Sequence, residues 1–211
     1  ELFCMEAMWT RFFPLMDRVR EMLAAEAIGE PRLLQVDFGF RAGWDPDGRL
    51  LNPRLAGGSL LDVGVYCTSL SYMVFGPPVD LTGFAHLGET GVDEQASWVF
   101  CYDEGELASC SSAVRTATPL EAIINGTDGR IRIHSPWWIP TEMTVTRGEK
   151  DPEKVEFSLE GNGMNYEAAA VIDCLRQGKA EHEVMPLDET LEIARTMDEL
   201  RAQWHLRYPF E

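Results

Sequence analysis

The chain of 211 residues carries a formal net charge of −17, with 45% apolar and 25% charged residues. That length suits one large domain or two small ones, and a chain of this size buries about 70% of the surface it exposes when unfolded. The acidic balance argues against nucleic acid and anionic membrane as partners, because both require a basic footprint, and it does not favour a polyanionic substrate.

Cys4, Cys67, Cys101, Cys110 and Cys174 are odd in number and form no CxxC pair, so they read as reduced thiols of a cytoplasmic protein, without a zinc or redox signature. No run approaches the roughly 18 apolar residues of a membrane span, and no charged-then-apolar leader pattern opens the sequence. His86, His134, His182 and His205 show no ligand spacing and read as surface or satisfied histidines.

In chain order, residues 2–9 read as an apolar strand that begins almost at the first residue, which suggests a chain cut upstream. An unpaired apolar strand is a sticky edge, so it is expected to fray or to be recruited by another chain. Residues 11–28 read as an amphipathic helix stopped by Gly29, and 32–40 alternate as a strand. Residues 42–57 form a loop marked by Asp45-Pro46-Asp47-Gly48. The loop ends in Gly57-Gly58-Ser59, where Ser59 is placed to cap the helix predicted over residues 60–75. On that apolar helix Asp62 and Tyr66 are four residues apart, which puts a carboxylate and a phenol on one face. Gly64 between them is a poor helix former, and a glycine there admits a close backbone or a flat ligand.

Residues 79–159 read as strands joined by short turns, Gly126-Thr127-Asp128-Gly129 among them, and adjacent strands of this kind imply an antiparallel sheet. Helices follow at 165–177 and from 187 to about 204. The order predicts an α+β fold: an open, mainly antiparallel sheet packed by helices on one face. No GxGxxG or GxxxxGK[ST] loop is present, so the chain has no phosphate cradle of its own.

Several stretches together resemble the Gfo/Idh/MocA oxidoreductase family, nearest its dimeric dihydrodiol dehydrogenase and D-xylose 1-dehydrogenase branch. They are residues 5–14 (MEAMWTRFFP), the Gly-Gly-x-Leu-Leu-Asp-x-Gly-x-Tyr stretch, the hairpin at 126–131 and the tail Pro186-Leu187-Asp188-Glu189-Thr190-Leu191. The resemblance implies that residues 29–211 are the carboxy-terminal, dihydrodipicolinate-reductase-like α+β domain for substrate binding and dimerisation. Residues 1–28 would be a strand and crossing helix leading to an amino-terminal Rossmann domain that this sequence does not contain. That domain would hold most of an NADP or NAD cofactor and the family's Glu-Lys-Pro lysine, so this chain alone is expected to be inactive. By the same resemblance Tyr66 is the acid/base group, and Asp62 lies near the nicotinamide ribose and the substrate. Trp9 and Arg11, at the domain junction, are implied to bind the substrate together with Phe40 and Trp138, which line the pocket. The implied reaction acts on the CH–OH group of a neutral sugar or diol, in a homodimer formed through the open sheet.

The residues also carry plainer readings. Tyr66 also reads as core with its hydroxyl tied off, Asp62 as a helix-dipole partner, and Trp9 and Arg11 as a packed junction anchored by an ion pair. Adjacent Trp137 and Trp138 cannot both be buried on one strand face, so one is expected to meet a pocket or a partner. The competing functional reading is a non-catalytic module that dimerises through its sheet.

Overall fold

A computed structural model describes residues 2–211. Eight strands form one open mixed sheet, and four α-helices complete an α+β fold. A short 3-10 turn, Trp9–Phe12, precedes helix α1, Pro14–Ala24. Pro14 sets the boundary between them. Its ring pushes Phe13 into an extended conformation (φ −69°, ψ 142°), and its missing N–H is tolerated at the first helical position. The helix expected over 11–28 is therefore broken at its start and ends early, at Ala24.

Strand β1 is Pro31–Gly39, and its inward residues Leu34, Val36 and Phe38 are buried as the alternation predicts. A long loop leads to a single π-helical turn, Leu60–Gly64, which runs directly into α2, Val65–Phe75. Gly76, at φ 76°, ends α2. Then come β2 (Asp80–Leu87), β3 (Asp93–Cys101), β4 (Leu107–Ala113), β5 (Ala122–Gly126), β6 (Gly129–Ile133), β7 (Glu142–Arg147) and β8 (Glu153–Glu156). Helices α3, Met164–Arg176, and α4, Leu187–Gln203, close the chain.

The sheet order is β2-β3-β4-β1-β5-β6-β7-β8. Six of the seven strand pairs are antiparallel, and β1 and β4 run parallel with Val36 opposite Cys110. The first strand thus sits in the middle of the sheet, inserted between later hairpins. One face carries the core, where Trp98, Phe100, Ile124, Ile131 and Trp137 meet Leu15, Met16, Leu60 and Leu70. Each such side chain contributes about 1.5–3 kcal/mol by leaving water. The other face is open. On it Ser97 and Ser111 hydrogen-bond across strands at 2.8 Å, and Phe84 stands 86% exposed.

Residues 2–8 form no strand, contrary to the sequence expectation. The Cys4 N–H donates to the Ala180 carbonyl at 3.0 Å, so this segment lies along the loop between α3 and α4. Leu2 is 93% exposed and Met8 is buried, so only the end of the apolar run finds a core. The five cysteines are free, with Cys67, Cys110 and Cys174 buried. Among the described residues no helix is long and apolar enough to cross a membrane.

Candidate active site

The site is built on the turn that launches α2. Gly58 adopts φ 122°, and a Cβ there would lie 2.1 Å from Asp93 Oδ1. Only glycine allows the loop to pass so close to β3. Asp93 is fully buried, and its Oδ2 accepts the Ser59 hydroxyl at 2.8 Å and the Leu60 N–H at 2.7 Å. Ser59 was expected to cap the helix itself. Instead its backbone is already helical, its side chain makes no cap bond, and the capping carboxylate comes from a distant strand. Ser59 Oγ also shares a hydrogen bond of 2.8 Å with Ser112 Oγ. Burial pushes the Asp93 carboxyl up to about 6, against the lowering effect of the Leu60 and Ser59 hydrogen bonds.

From this anchor the chain makes one wide turn, in which the Val65 N–H donates to the Leu60 carbonyl five residues back. Gly64 faces the sheet: a Cβ there would lie 3.0 Å from the Trp98 ring and 3.2 Å from Ser112 Oγ. The close neighbour that this glycine admits is the core indole of β3. Asp62 and Tyr66 project from the same stretch, both partly exposed. The Asp62 side chain is 14% exposed and forms an ion pair with Arg49, which lies in the loop before the π turn.

Tyr66 is surrounded by aromatic groups from separate elements. The Trp9 indole N–H donates to the Tyr66 hydroxyl oxygen at 3.0 Å. Phe38, near the end of β1, meets the Tyr66 ring edge-on at 5.4 Å and stacks on Trp138 at 3.7 Å. Burial raises the Tyr66 pKa, the Trp9 hydrogen bond lowers it, and the charges of Asp62 and Glu167 raise it further. At neutral pH Tyr66 is therefore a phenol, ready to give a proton and in need of a nearby cation to take one.

The other sequence candidates fall out differently. Trp9 and Arg11 lie on the 3-10 turn and diverge. Arg11 is 4% exposed, and its guanidinium donates to Ser69 Oγ (2.9 Å) and the Val184 carbonyl (3.1 Å) and pairs with Glu189 (2.5 Å). Those partners make it an anchor of the helix junction. Trp137 is the buried member of its pair, donating to the Asp37 carbonyl at 2.8 Å, and Trp138 is the partly exposed one, stacked on Phe38 beside Tyr66. Thr10 fixes that segment by donating to the Trp138 carbonyl at 2.8 Å. Phe40 packs both against the main core, which holds Phe38, and against the small cluster of Leu51, Val92, Val114 and Tyr208. Phe38, Arg49, Asp93 and Glu167 escaped the sequence reading. Only Phe38 left a signal there, as an aromatic on the inward face of an alternating strand.

The arrangement offers a weak acid, a carboxylate acceptor and flat apolar walls, which suit a small neutral hydroxyl or carbonyl compound. For a nicotinamide dinucleotide the residues fit in part. Asp62 is an acceptor suited to a ribose hydroxyl. Among the described residues, however, no glycine-rich strand-to-helix turn is present to hold the phosphates.

The family model described as the GFO/IDH/MocA C-terminal domain matches residues 16–132. The trans-1,2-dihydrobenzene-1,2-diol dehydrogenase of Xenopus tropicalis is 37% identical over 216 aligned positions, covering 99% of this chain and 64% of that protein. The enzyme of the same name from Homo sapiens is 34% identical over the same shares. The chain thus spans about 64% of the length of these curated relatives. An aldose-aldose oxidoreductase from Caulobacter crescentus, crystallised with glycerol, shares the fold with a TM-score of 0.83 at 21% identity, over 95% of this chain and 61% of that one. The 3-ketoreductase KijD10 from Actinomadura kijaniata, in complex with NADP and TDP-benzene, gives 0.81 at 20% identity, over 96% and 63%.

Proposed function

Because the chain belongs to the GFO/IDH/MocA family, we propose that it is the substrate side of a longer NAD(P)-dependent oxidoreductase acting on the CH–OH group of a sugar or diol. The observation that carries this reading is the half-buried Tyr66 phenol, hydrogen-bonded by Trp9, on the same stretch as Asp62. The dehydrogenases that resemble this chain in sequence act on a cyclic diol, as their name states, and an uncharged polyol suits both the aromatic walls and the net charge of −17.

In this reading a bound nicotinamide dinucleotide, NADP or NAD, supplies or accepts the hydride. Tyr66 handles the proton: its O–H passes to the carbonyl oxygen in reduction, and its oxygen receives the hydroxyl proton in oxidation. A cation from a dinucleotide-binding domain on the amino-terminal side of residues 1–28 lowers the phenol's pKa toward neutrality. Asp62 orients a substrate or ribose hydroxyl, and Trp138 with Phe38 forms an apolar wall. The five free cysteines accord with a cytoplasmic setting.

The test is Tyr66→Phe in the longer protein, assayed with NADPH and NADP across sugars and diols. Turnover should fall by about 10²-fold or more, with substrate binding and thermal stability little changed. Undiminished turnover removes Tyr66 from the chemistry. The open sheet face, with Phe84 at its rim, is proposed as the surface on which a second copy sits. That surface would serve equally if the chain had no chemistry and acted only as a dimerisation module. NADPH titrated into the 211-residue chain should bind no tighter than millimolar.

A further inference from the structure

We propose that Trp9 is a positioning residue for proton transfer: its indole N–H occupies a lone pair of the Tyr66 oxygen, so that the phenolic O–H points away from Trp9 and the phenolate is stabilised. This deepens the reading of Tyr66 as the acid/base group and rests on it. Indole can only donate, so the direction of the 3.0 Å bond is fixed. Elsewhere in the molecule Tyr72 and Thr196 share a bond of 2.7 Å in which either hydroxyl can be the donor. Tyr66 has no such ambiguity. With one lone pair taken, its proton is free for another acceptor.

The indole is held in place. Its ring packs on Phe13 at 5.4 Å, and Phe13 in turn packs on Tyr166 at 5.4 Å. Gly163 comes so close that a Cβ there would lie 3.2 Å from the Trp9 ring. The charges acting on Tyr66 are both negative: Asp62 from its own helical stretch, and Glu167 from α3, itself beside Glu6. Phe38 and Trp138 are apolar, and Arg11 is committed to Ser69, Val184 and Glu189. The Trp9 hydrogen bond favours the phenolate, against burial and the two carboxylates.

The experiment replaces Tyr66 with 3-fluorotyrosine, whose lower intrinsic pKa keeps the titration within the folded range, and follows its ¹⁹F shift against pH. In Trp9→Phe the midpoint should rise by about one pH unit relative to the chain with Trp9. Trp9 is also replaced by benzothienylalanine, which keeps the shape and lacks the N–H, and the same rise is expected. Because burial also raises the Tyr66 pKa, the benzothienylalanine variant, which keeps the packing, decides: an unchanged or lower midpoint there overturns the proposal. In the longer enzyme Trp9→Phe should lower kcat more than it alters KM and shift the pH profile upward. Full activity of Tyr66→Phe would refute the acid/base reading while leaving the titration result intact.

Discussion

Asp93 Oδ2, on the third strand, accepts the N–H of Leu60, 33 residues back in the chain, at 2.7 Å. A buried strand carboxylate thereby starts the turn that displays Asp62 and Tyr66. Removing it strands the Leu60 N–H and the Ser59 hydroxyl in the interior. Asp93→Ala should cost about 2–4 kcal/mol, read from the urea midpoint. A loss below about 1 kcal/mol would mean that water or Ser112 replaces the cap.

The same carboxyl makes stability depend on pH. Its folded pKa is raised from 3.8 to about 6, so the folded state holds this proton more tightly than the unfolded chain. The resulting stabilisation is complete below 3.8 and disappears as pH rises through 6. It amounts to about 3 kcal/mol. Asp93→Asn has no proton to bind, so wild type should gain on it as pH falls from 7.5 to 4.5. Denaturant curves at both pH values decide this, and a gap that stays constant refutes it.

Gly64→Ala tests how closely the helix start presses on the sheet. At an ordinary helical site Ala gains about 1 kcal/mol over Gly. Here the new Cβ meets the Trp98 ring at 3.0 Å, so the change should destabilise by about 1 kcal/mol instead. Gly58→Ala should cost more, because its Cβ would lie 2.1 Å from Asp93 Oδ1 and its φ is 122°. Calorimetry on the two variants gives the ranking, and the reverse order would contradict these contacts.

Arg11 ties the 3-10 turn to α2 and to Glu189 at the start of α4. Arg11→Met should cost about 2–4 kcal/mol, and a double-mutant cycle with Glu189→Gln should show coupling between the two sites. Simple additivity would assign the loss to packing alone.

Phe84 is 86% exposed on the open sheet face. If a second copy covers that face, Phe84→Glu should shift the mass measured by light scattering from dimer to monomer and leave the melting of the domain little changed. A monomeric wild type would end the dimer proposal.

Local chemistry was legible in the sequence. The alternation of Leu34, Val36 and Phe38 marked a strand, and the Asp128-Gly129 turn marked a hairpin, because both patterns are complete within a few residues. The placement of Asp62 and Tyr66 on one helical stretch was legible through their spacing. What depended on distant partners was not. Ser59 looked like a sufficient cap, and nothing nearby signalled that Asp93 would take that role. The apolar run at residues 2–9 read as a strand, yet residues 2–8 join no strand, and the Cys4 N–H bonds instead to the Ala180 carbonyl of a distant loop. Alternation alone places Phe38 on the inward face of its strand, and that face is continuous with the wall beside Tyr66.

Strand β1 is flanked by β4 on one side and β5 on the other, both made later in the chain. During synthesis it leaves the ribosome with two bare hydrogen-bonding edges, and these stay bare until residues 107–126 follow. A nascent chain stopped before that point exposes the centre of its own sheet and should need a chaperone to remain dispersed. Loss of β8, at the far rim, merely moves the edge by one strand.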